Sequence, residues 1–187
     1  MFREKIKVLD CTIRDGGLMN NHNFDFRFVR EVYKAVSEAG IDYMEIGYKN
    51  SKKLFSPKEY GAWKFCDDDE IRRVTEGIES RTKISVMVDI GRVNIDDVKP
   101  ASQSPVKMIR VAAYVKDIDK AIFMVNHFAE KGYETTINIM AISKDQGVEL
   151  DEALLQIENE SRVNVVYVVD SFGNLYQETT EILVKRA

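Results

Sequence analysis

The chain has few of the residues that mark several common classes of protein. Its 187 residues include only two cysteines, Cys11 and Cys66, which are too few and too far apart for a disulfide framework or a thiolate zinc site. Its apolar runs are strand-sized, much shorter than the ~20 residues that span a bilayer, and its first residues lack the apolar core of a signal peptide. We therefore expect a cytoplasmic protein in a reducing compartment.

No excess of basic charge is present either. The formal net charge is -4, and the lysines and arginines are scattered rather than grouped in one block. This pattern argues against nucleic acid or an anionic membrane as a partner. With 44% hydrophobic residues, the chain has enough apolar material for one sizeable core, so we expect a single domain over residues 1–187.

Short β-branched runs alternate with longer amphipathic stretches at a spacing of about thirty residues, the size of one strand–helix unit in a parallel sheet. The predicted strands are Lys7 to Thr12, Tyr43 to Tyr48, Ile84 to Ile90, Met108 to Ala113, Thr135 to Ala141 and Asn164 to Asp170. The predicted helices are Asp25 to Ala39, Asp67 to Glu79, Ile118 to Lys131, Leu150 to Ser161 and Glu178 to Arg186. The pattern predicts an α/β fold with six parallel strands, and Gly40 and Gly132 stand where helices should stop.

The first predicted strand runs into the sequence Asp10-Cys11-Thr12-Ile13-Arg14-Asp15-Gly16-Gly17. The two glycines would allow a sharp turn and a close approach to a ligand, so we expect Arg14 and Asp15 to project from the rim of the sheet. An isolated Arg–Asp pair is usually a surface ion pair of little energetic weight. The pair therefore needs support from other strand ends.

Such support comes from the carboxyl ends of the other strands, where parallel α/β folds place their chemistry. The acids at these positions could bind a divalent cation or transfer protons, while Arg14 and Arg110 could hold a carboxylate. The acids are Asp15, Glu45, Asp89 and Asp170. Asp89 and Asp170 fit equally well as caps of loop N–H groups. Glu45 lies in a buried strand, where a carboxylate is costly unless it is paired.

Further candidates lie in or beside the predicted loops. His22 follows the Arg–Asp pair and could carry a proton, whereas His127 fits a packing role in a helix. Tyr48 and Asn138 lie near strand ends and could contact a substrate. The stretch Asn50 to Trp63 reads as a long loop, and such loops are often functional.

Together with Glu45-Ile46-Gly47 and Asp170-Ser171-Phe172-Gly173, the Asp10-to-Gly17 motif resembles the metal-dependent aldolase and lyase superfamily, most closely its 4-hydroxy-2-oxovalerate aldolase branch. The resemblance implies a TIM barrel that makes or breaks a carbon–carbon bond through a metal-held enolate. It implies that Asp15 binds the metal (Mn²⁺ or Mg²⁺, with Zn²⁺ as a third option) and that Arg14 neutralises the enolate. Glu45 and Asp170 match strand-end acids, and Ser171 and Arg110 match positions that bind the substrate's carboxylate.

Two departures from the superfamily pattern stand out. The other metal ligands of the superfamily are a His-x-His pair on the seventh strand, whereas this sequence offers six strand–helix units and only His22 and His127. About six of the eight units of a barrel are then present, and we expect a domain that is incomplete at its C-terminal end. The unpaired edges of the first and sixth strands would favour a homo-oligomer. In the aldolase branch, a general-base histidine closely follows the Arg–Asp pair; Leu18 stands near that place here.

These features favour a carbon–carbon lyase or aldolase that acts on a 2-oxo or 2-hydroxy acid. A second hypothesis is a catalytically idle barrel, or a fragment of one, that binds a carboxylate metabolite or a partner protein. A third is a completed six-unit α/β fold with an open sheet.

Overall fold

The sheet contains six parallel strands in chain order. The computed structural model describes residues 6–144 and 147–186, so the prediction about the first residues lies outside the described part. The strands are β1 (Leu9–Asp10), β2 (Tyr43–Tyr48), β3 (Lys83–Asp89), β4 (Val106–Ala113), β5 (Glu134–Ile139) and β6 (Val165–Val168). Each strand pairs in parallel with the next. The sheet curves into a partial barrel, which confirms the predicted fold class.

Helices follow most of the strands, as the pattern predicted. They are α1 (Thr12–Gly16), α2 (Phe26–Glu38), α3 (Asp68–Thr75), α4 (Ile118–Glu130), α5 (Val148–Glu160) and α6 (Gln177–Arg186). The crossover after β3 contains only a 3-10 turn, Ile95–Asp97. Gly40 and Gly132 adopt φ angles of +73° and +87° directly after α2 and α4, so glycine ends both helices as predicted.

The prediction for the first strand was wrong. It extended to Thr12, whereas β1 ends at Asp10 and residues Thr12–Gly16 form one short helix. The Asp10 carboxylate accepts hydrogen bonds from the Thr12 backbone N–H, at 3.1 Å, and from the Thr12 hydroxyl, at 2.8 Å. This local side-chain turn competes with the sheet ladder and starts the helix instead.

The paired glycines also act differently from the prediction. Gly16 and Gly17 have helical φ angles of -59°, so neither forms a sharp left-handed turn. A Cβ atom on Gly17 would overlap the Nδ1 atom of His22. Glycine is needed here for the close approach of a side chain, and that side chain is His22.

The two faces of the sheet differ in chemistry because alternate residues of a strand point in opposite directions. The outer face packs against the helices and is apolar, with residues such as Val86, Ile109 and Ile137 in the main core. The inner face carries polar residues at the intervening positions, including Glu45 and Arg110, both of which are buried. The inner face of the partial barrel therefore contains buried charged side chains.

The sheet has two edges in the described part of the chain. There, β1 pairs only with β2, and β6 pairs only with β5. Association through these edges stays a prediction. Within residues 6–144 and 147–186, no helix combines the length and apolar character that crossing a bilayer requires.

Two phenylalanines of α4 provide a test of the outer core. Phe128 is fully buried, whereas Phe123 is 62% exposed on the same helix. We expect Phe128→Ala to lower the free energy of unfolding by about 3–5 kcal/mol, because it removes apolar contacts and leaves a cavity. Phe123→Ala should change it by less than about 1 kcal/mol. Urea unfolding measures both variants, and equal losses would contradict the assigned helix face.

Candidate active site

The centre of the candidate site is the carboxylate of Glu45 on β2. Its side chain is fully buried, and its Oε2 atom accepts hydrogen bonds from Arg14 Nε, at 2.6 Å, and from Arg110 Nη1, at 2.8 Å. The Cys11 thiol lies 3.5 Å from the same oxygen. The sequence predicted that Glu45 would need a partner, and the structure provides two arginines.

Arg14 reaches this carboxylate from the short helix α1. Its Nη1 atom also bonds the Asp15 carboxylate, and its guanidinium carbon lies 6.0 Å from the centre of the Tyr48 ring. Burial acts to lower the pKa of Arg14, but the neighbouring Glu45 raises it, and the net pKa lies above its ordinary value. The guanidinium is therefore a permanent positive charge at the rim of the barrel.

Arg110 approaches Glu45 from the opposite side, on β4. Its side chain is only 6% exposed, and the guanidinium carbon lies 4.4 Å from the centre of the Tyr167 ring. Its Nε atom is buried and has no hydrogen-bond partner among residues 6–144 and 147–186. Arg110 thus keeps donor capacity that Glu45 does not use.

Cys11 belongs to the same cluster, although the sequence analysis gave it no role in a site. Its sulfur lies 3.6 Å from Arg110 Nη1. Burial, and then the negative charge of Glu45, raise the pKa of the thiol to about 11. The thiol is therefore protonated near neutral pH and can donate a hydrogen bond to Glu45.

His22 is part of this site as well. The imidazole is 2% exposed and packs edge-on against Tyr48, with ring centres 5.3 Å apart. Burial lowers its pKa to about 4, and the positive charges of Lys64 and Arg14 contribute to the shift. The imidazole is therefore neutral at pH 7, the form that can accept a proton. The turn that holds it is tight, because Asn21 and His22 both have φ angles above +50°.

Lys64 is a residue that the sequence analysis missed. The side chain is buried beside the long loop, and its Nζ atom lies 4.9 Å from the ring centre of Tyr48, 4.7 Å from that of Phe55 and 5.3 Å from that of Tyr60. Two of these rings come from the predicted loop Asn50 to Trp63. No local sequence pattern identifies this arrangement of one lysine and three rings, because its four residues are spread over seventeen positions, from Tyr48 to Lys64.

The remaining predicted residues make hydrogen bonds of their own rather than bonds to Glu45. The Asp170 carboxylate accepts hydrogen bonds from the N–H groups of Leu175, Asn174 and Phe172, and these bonds lower its pKa. The Ser171 hydroxyl accepts a hydrogen bond from the Ala141 N–H at 2.9 Å. Both residues stabilise loops here. Asn138 is on the inner face, where its amide oxygen accepts from Thr136 at 3.3 Å.

The four predicted acids do not assemble into one cluster. Asp89 pairs with Arg92 at 3.2 Å, and the Asp15 side chain is 59% exposed beside Arg14. Among the described residues, no three His, Cys, Asp or Glu side chains lie close enough to share a metal ion. These residues therefore do not form a complete metal centre, and metal binding by Asp15 stays a prediction.

Comparison with known proteins finds relatives in sequence. No family model matches the chain. It is 28% identical over 177 residues to 4-hydroxy-2-oxovalerate aldolase from Geobacillus thermodenitrificans, covering 94% of this chain and 51% of that protein. It is 26% identical over 178 residues to the aldolase of the same name from Pelotomaculum thermopropionicum, covering 95% and 52%. The chain thus spans about half the length of these curated relatives.

Solved structures share the fold. The N-terminal domain of a Bacteroides vulgatus protein assigned as an aldolase superposes with a TM-score of 0.79 at 27% identity, over 97% of this chain and 60% of that one. Hydroxymethylglutaryl-CoA lyase from Pseudomonas aeruginosa superposes with a TM-score of 0.69 at 17% identity, over 98% and 63%.

The chain is thus a parallel α/β partial barrel with a charged cluster on its inner face. In sequence it is similar to 4-hydroxy-2-oxovalerate aldolases, and in fold to the N-terminal domain of an assigned aldolase, which supports the resemblance to the aldolase and lyase superfamily.

The neutrality of His22 can be tested directly, because the chain has only two histidines. We expect the His22 imidazole signals to titrate near pH 4 in an NMR pH series. The variant His127→Gln would assign them. Since the folded pKa lies below the unfolded value of about 6.5, the protein should also lose stability as the pH falls from about 6.5 to about 4. A His22 midpoint near 6.5 would show that the ring is solvated.

The pairing of Glu45 predicts a large effect on stability. Glu45→Gln leaves the buried Arg110 guanidinium without its counter-charge and leaves Arg14 paired with Asp15 alone, which should cost about 3 kcal/mol or more of unfolding free energy. Glu38→Gln is a matched control, because Glu38 makes only an exposed ion pair with Lys34 at 3.9 Å and should cost less than about 0.5 kcal/mol. Denaturant unfolding at pH 7 measures both. A small loss for Glu45→Gln would mean that water reaches the cluster.

Proposed function

We propose that this chain supplies the substrate-binding face of a carbon–carbon lyase or aldolase that acts on a 2-oxo or 2-hydroxy acid, similar to 4-hydroxy-2-oxovalerate aldolase. The observation that carries the proposal is the Arg14–Glu45–Arg110 cluster. It lies inside a parallel barrel and is built on residues of the motifs shared with the superfamily.

The two arginines are the proposed binding groups for the acid. Glu45 neutralises one of their two positive charges, and Asp15 pairs with Arg14 at the exposed rim. Once Asp15 binds the proposed cation, the arginines carry one positive charge that Glu45 does not balance, and the cluster attracts an anion. A planar carboxylate, or the enolate of a 2-oxo acid such as pyruvate, matches the fork of guanidinium donors. Glu45 is a positioning residue in this proposal, because it holds both guanidiniums in place and is itself sealed from the substrate.

His22 is the proposed proton acceptor. In retro-aldol cleavage, a base takes the proton from the substrate's hydroxyl group, the adjacent carbon–carbon bond breaks, and its electron pair stays on the 2-oxo acid fragment as an enolate. A neutral imidazole can take that proton. The positive charge of Arg14, which lies over the same tyrosine ring, would stabilise the enolate as it forms.

The proposal includes a divalent cation, Mn²⁺, Mg²⁺ or Zn²⁺, as the cofactor. Asp15 is half-exposed beside Arg14 and is the ligand that the resemblance assigns. Such an ion would polarise the substrate's oxygen atoms and favour the enolate. Its remaining ligands would come from groups other than those described, since Asp15 alone does not make a site.

Turnover of a 4-hydroxy-2-oxo acid tests the proposal. With Mn²⁺ present, Asp15→Asn should reduce release of the 2-oxo acid by at least 100-fold, because it removes a charged ligand. The control Asp119→Asn removes an exposed carboxylate from α4 and should leave turnover unchanged. The assay should use the longest natural form of the protein that carries this sequence.

Two outcomes would contradict the proposal in different ways. Unchanged turnover of Asp15→Asn at saturating metal would remove the metal-ligand role of Asp15. Stoichiometric binding of the acid without any turnover would favour the idle barrel, in which the arginines bind a metabolite and no bond is broken.

A further inference from the structure

Lys64 is buried in an aromatic environment, which is unusual for a lysine. The residue as a whole is 7% exposed, yet its ammonium group makes no ion pair or hydrogen bond with any other described residue. Three aromatic rings surround it instead, with centres 4.7 to 5.3 Å from Nζ. Burial lowers the pKa of this lysine. The rings compensate only part of the lost hydration of the cation.

The ammonium group is not sealed within the protein. Buried side-chain atoms without partners do occur here, among them His22 Nδ1 and Arg110 Nε, and Lys64 Nζ is not one of them. Nζ therefore keeps some exposed surface although the residue as a whole is buried, and its N–H donors have no partner among the described residues. A ligand can therefore reach them.

Lys64 also lies beside the proposed substrate site. Its Nζ atom is 4.9 Å from the centre of the Tyr48 ring, and the Arg14 guanidinium carbon is 6.0 Å from the same centre. The two positive charges can be no further apart than the sum of these distances. The negative charge of Asp89 acts to raise the pKa of Lys64, but the Asp89 carboxylate is itself paired with Arg92.

The backbone fixes the position of Lys64. Residues Ala62–Lys64 form a 3-10 turn in which the Lys64 N–H donates to Gly61 at 3.1 Å. The Lys64 carbonyl accepts from the Asn50 N–H at 3.2 Å, at the other end of the long loop. Both ends of the loop are thus tied at this residue, so the charge is placed in advance of any ligand.

An uncharged side chain at this position would pack against the three rings at a lower free-energy cost, because it would not lose the hydration of a charge. We propose that Lys64 binds a second carboxylate on the substrate, so that the protein prefers 2-oxo dicarboxylates to 2-oxo monocarboxylates. This inference rests on the proposed function: the arginines hold the 2-oxo acid end, and Lys64 holds the distal end.

Two compounds that differ in one group test the inference. 2-Oxoglutarate and 2-oxovalerate have the same carbon skeleton, and only the first carries a distal carboxylate. We expect calorimetry to show at least tenfold tighter binding of 2-oxoglutarate to the wild-type protein. Lys64→Met should remove most of this preference while it changes the affinity for 2-oxovalerate by less than twofold. Lys64→Arg should retain part of the preference.

Lys52→Met is the matched control. Lys52 lies in the same loop, 5.6 Å from the ring centre of Phe65, but is half-exposed and paired with Asp67. It should not alter either affinity. Circular dichroism melting would verify that Lys64→Met is folded, since methionine can cover the same rings.

The outcomes separate this inference from the function on which it rests. If both acids bind equally and Arg14→Met abolishes binding of both, the proposed function stands and the role of Lys64 is wrong. A full dicarboxylate preference retained in Lys64→Met would also overturn it. If the wild-type protein binds neither acid, the proposed function itself fails, and the inference fails with it.

Discussion

The buried carboxylate of Glu45 is the interaction on which the rest of the site depends. A charge with no exposed surface is tolerated only when opposite charges and hydrogen bonds replace its hydration. Arg14 and Arg110 provide this replacement at 2.6 and 2.8 Å, from α1 and β4. One carboxylate oxygen therefore joins three elements that are far apart in the sequence. The inner face of the barrel is polar because this cluster occupies it.

Tyr48 extends this cluster into a wider electrostatic unit. Its ring contacts Arg14, His22 and Lys64, so a neutral base and two cations share one aromatic surface. The same positive charges that would attract an acid also help to keep His22 unprotonated. In the proposed function, the positive charges of Arg14 and Lys64 would therefore both attract the anion and keep His22 unprotonated.

The sequence predicted the sheet well where strands are continuous apolar runs, and β2 matches residue for residue. It failed at β1, because the Asp10–Thr12 turn is a local hydrogen-bonding choice that apolar patterning does not encode. The sequence analysis identified Arg14, Glu45 and Arg110 as separate candidates. It could not predict that both arginines donate to the same Glu45 oxygen, because that depends on tertiary geometry. Cys11 and Lys64 were missed as site residues for the same reason. Asp170 illustrates the reverse case: its motif is informative, yet in this structure the side chain caps a loop.

Net charge alone would assign this protein poor affinity for small anions, since its formal value is -4. That value describes the whole surface, whose exposed charges are screened over about 8 Å at physiological salt. Inside the barrel, water is largely excluded around Glu45 and Arg110, and nearby guanidinium charges are screened much less. An anion that reaches the inner face therefore meets Arg14, Arg110 and Lys64, with their local partners Glu45 and Asp15, more strongly than the distant surface acids. In the proposed function, selectivity for an acidic substrate would follow from these local charges, which the net charge of the whole chain does not describe.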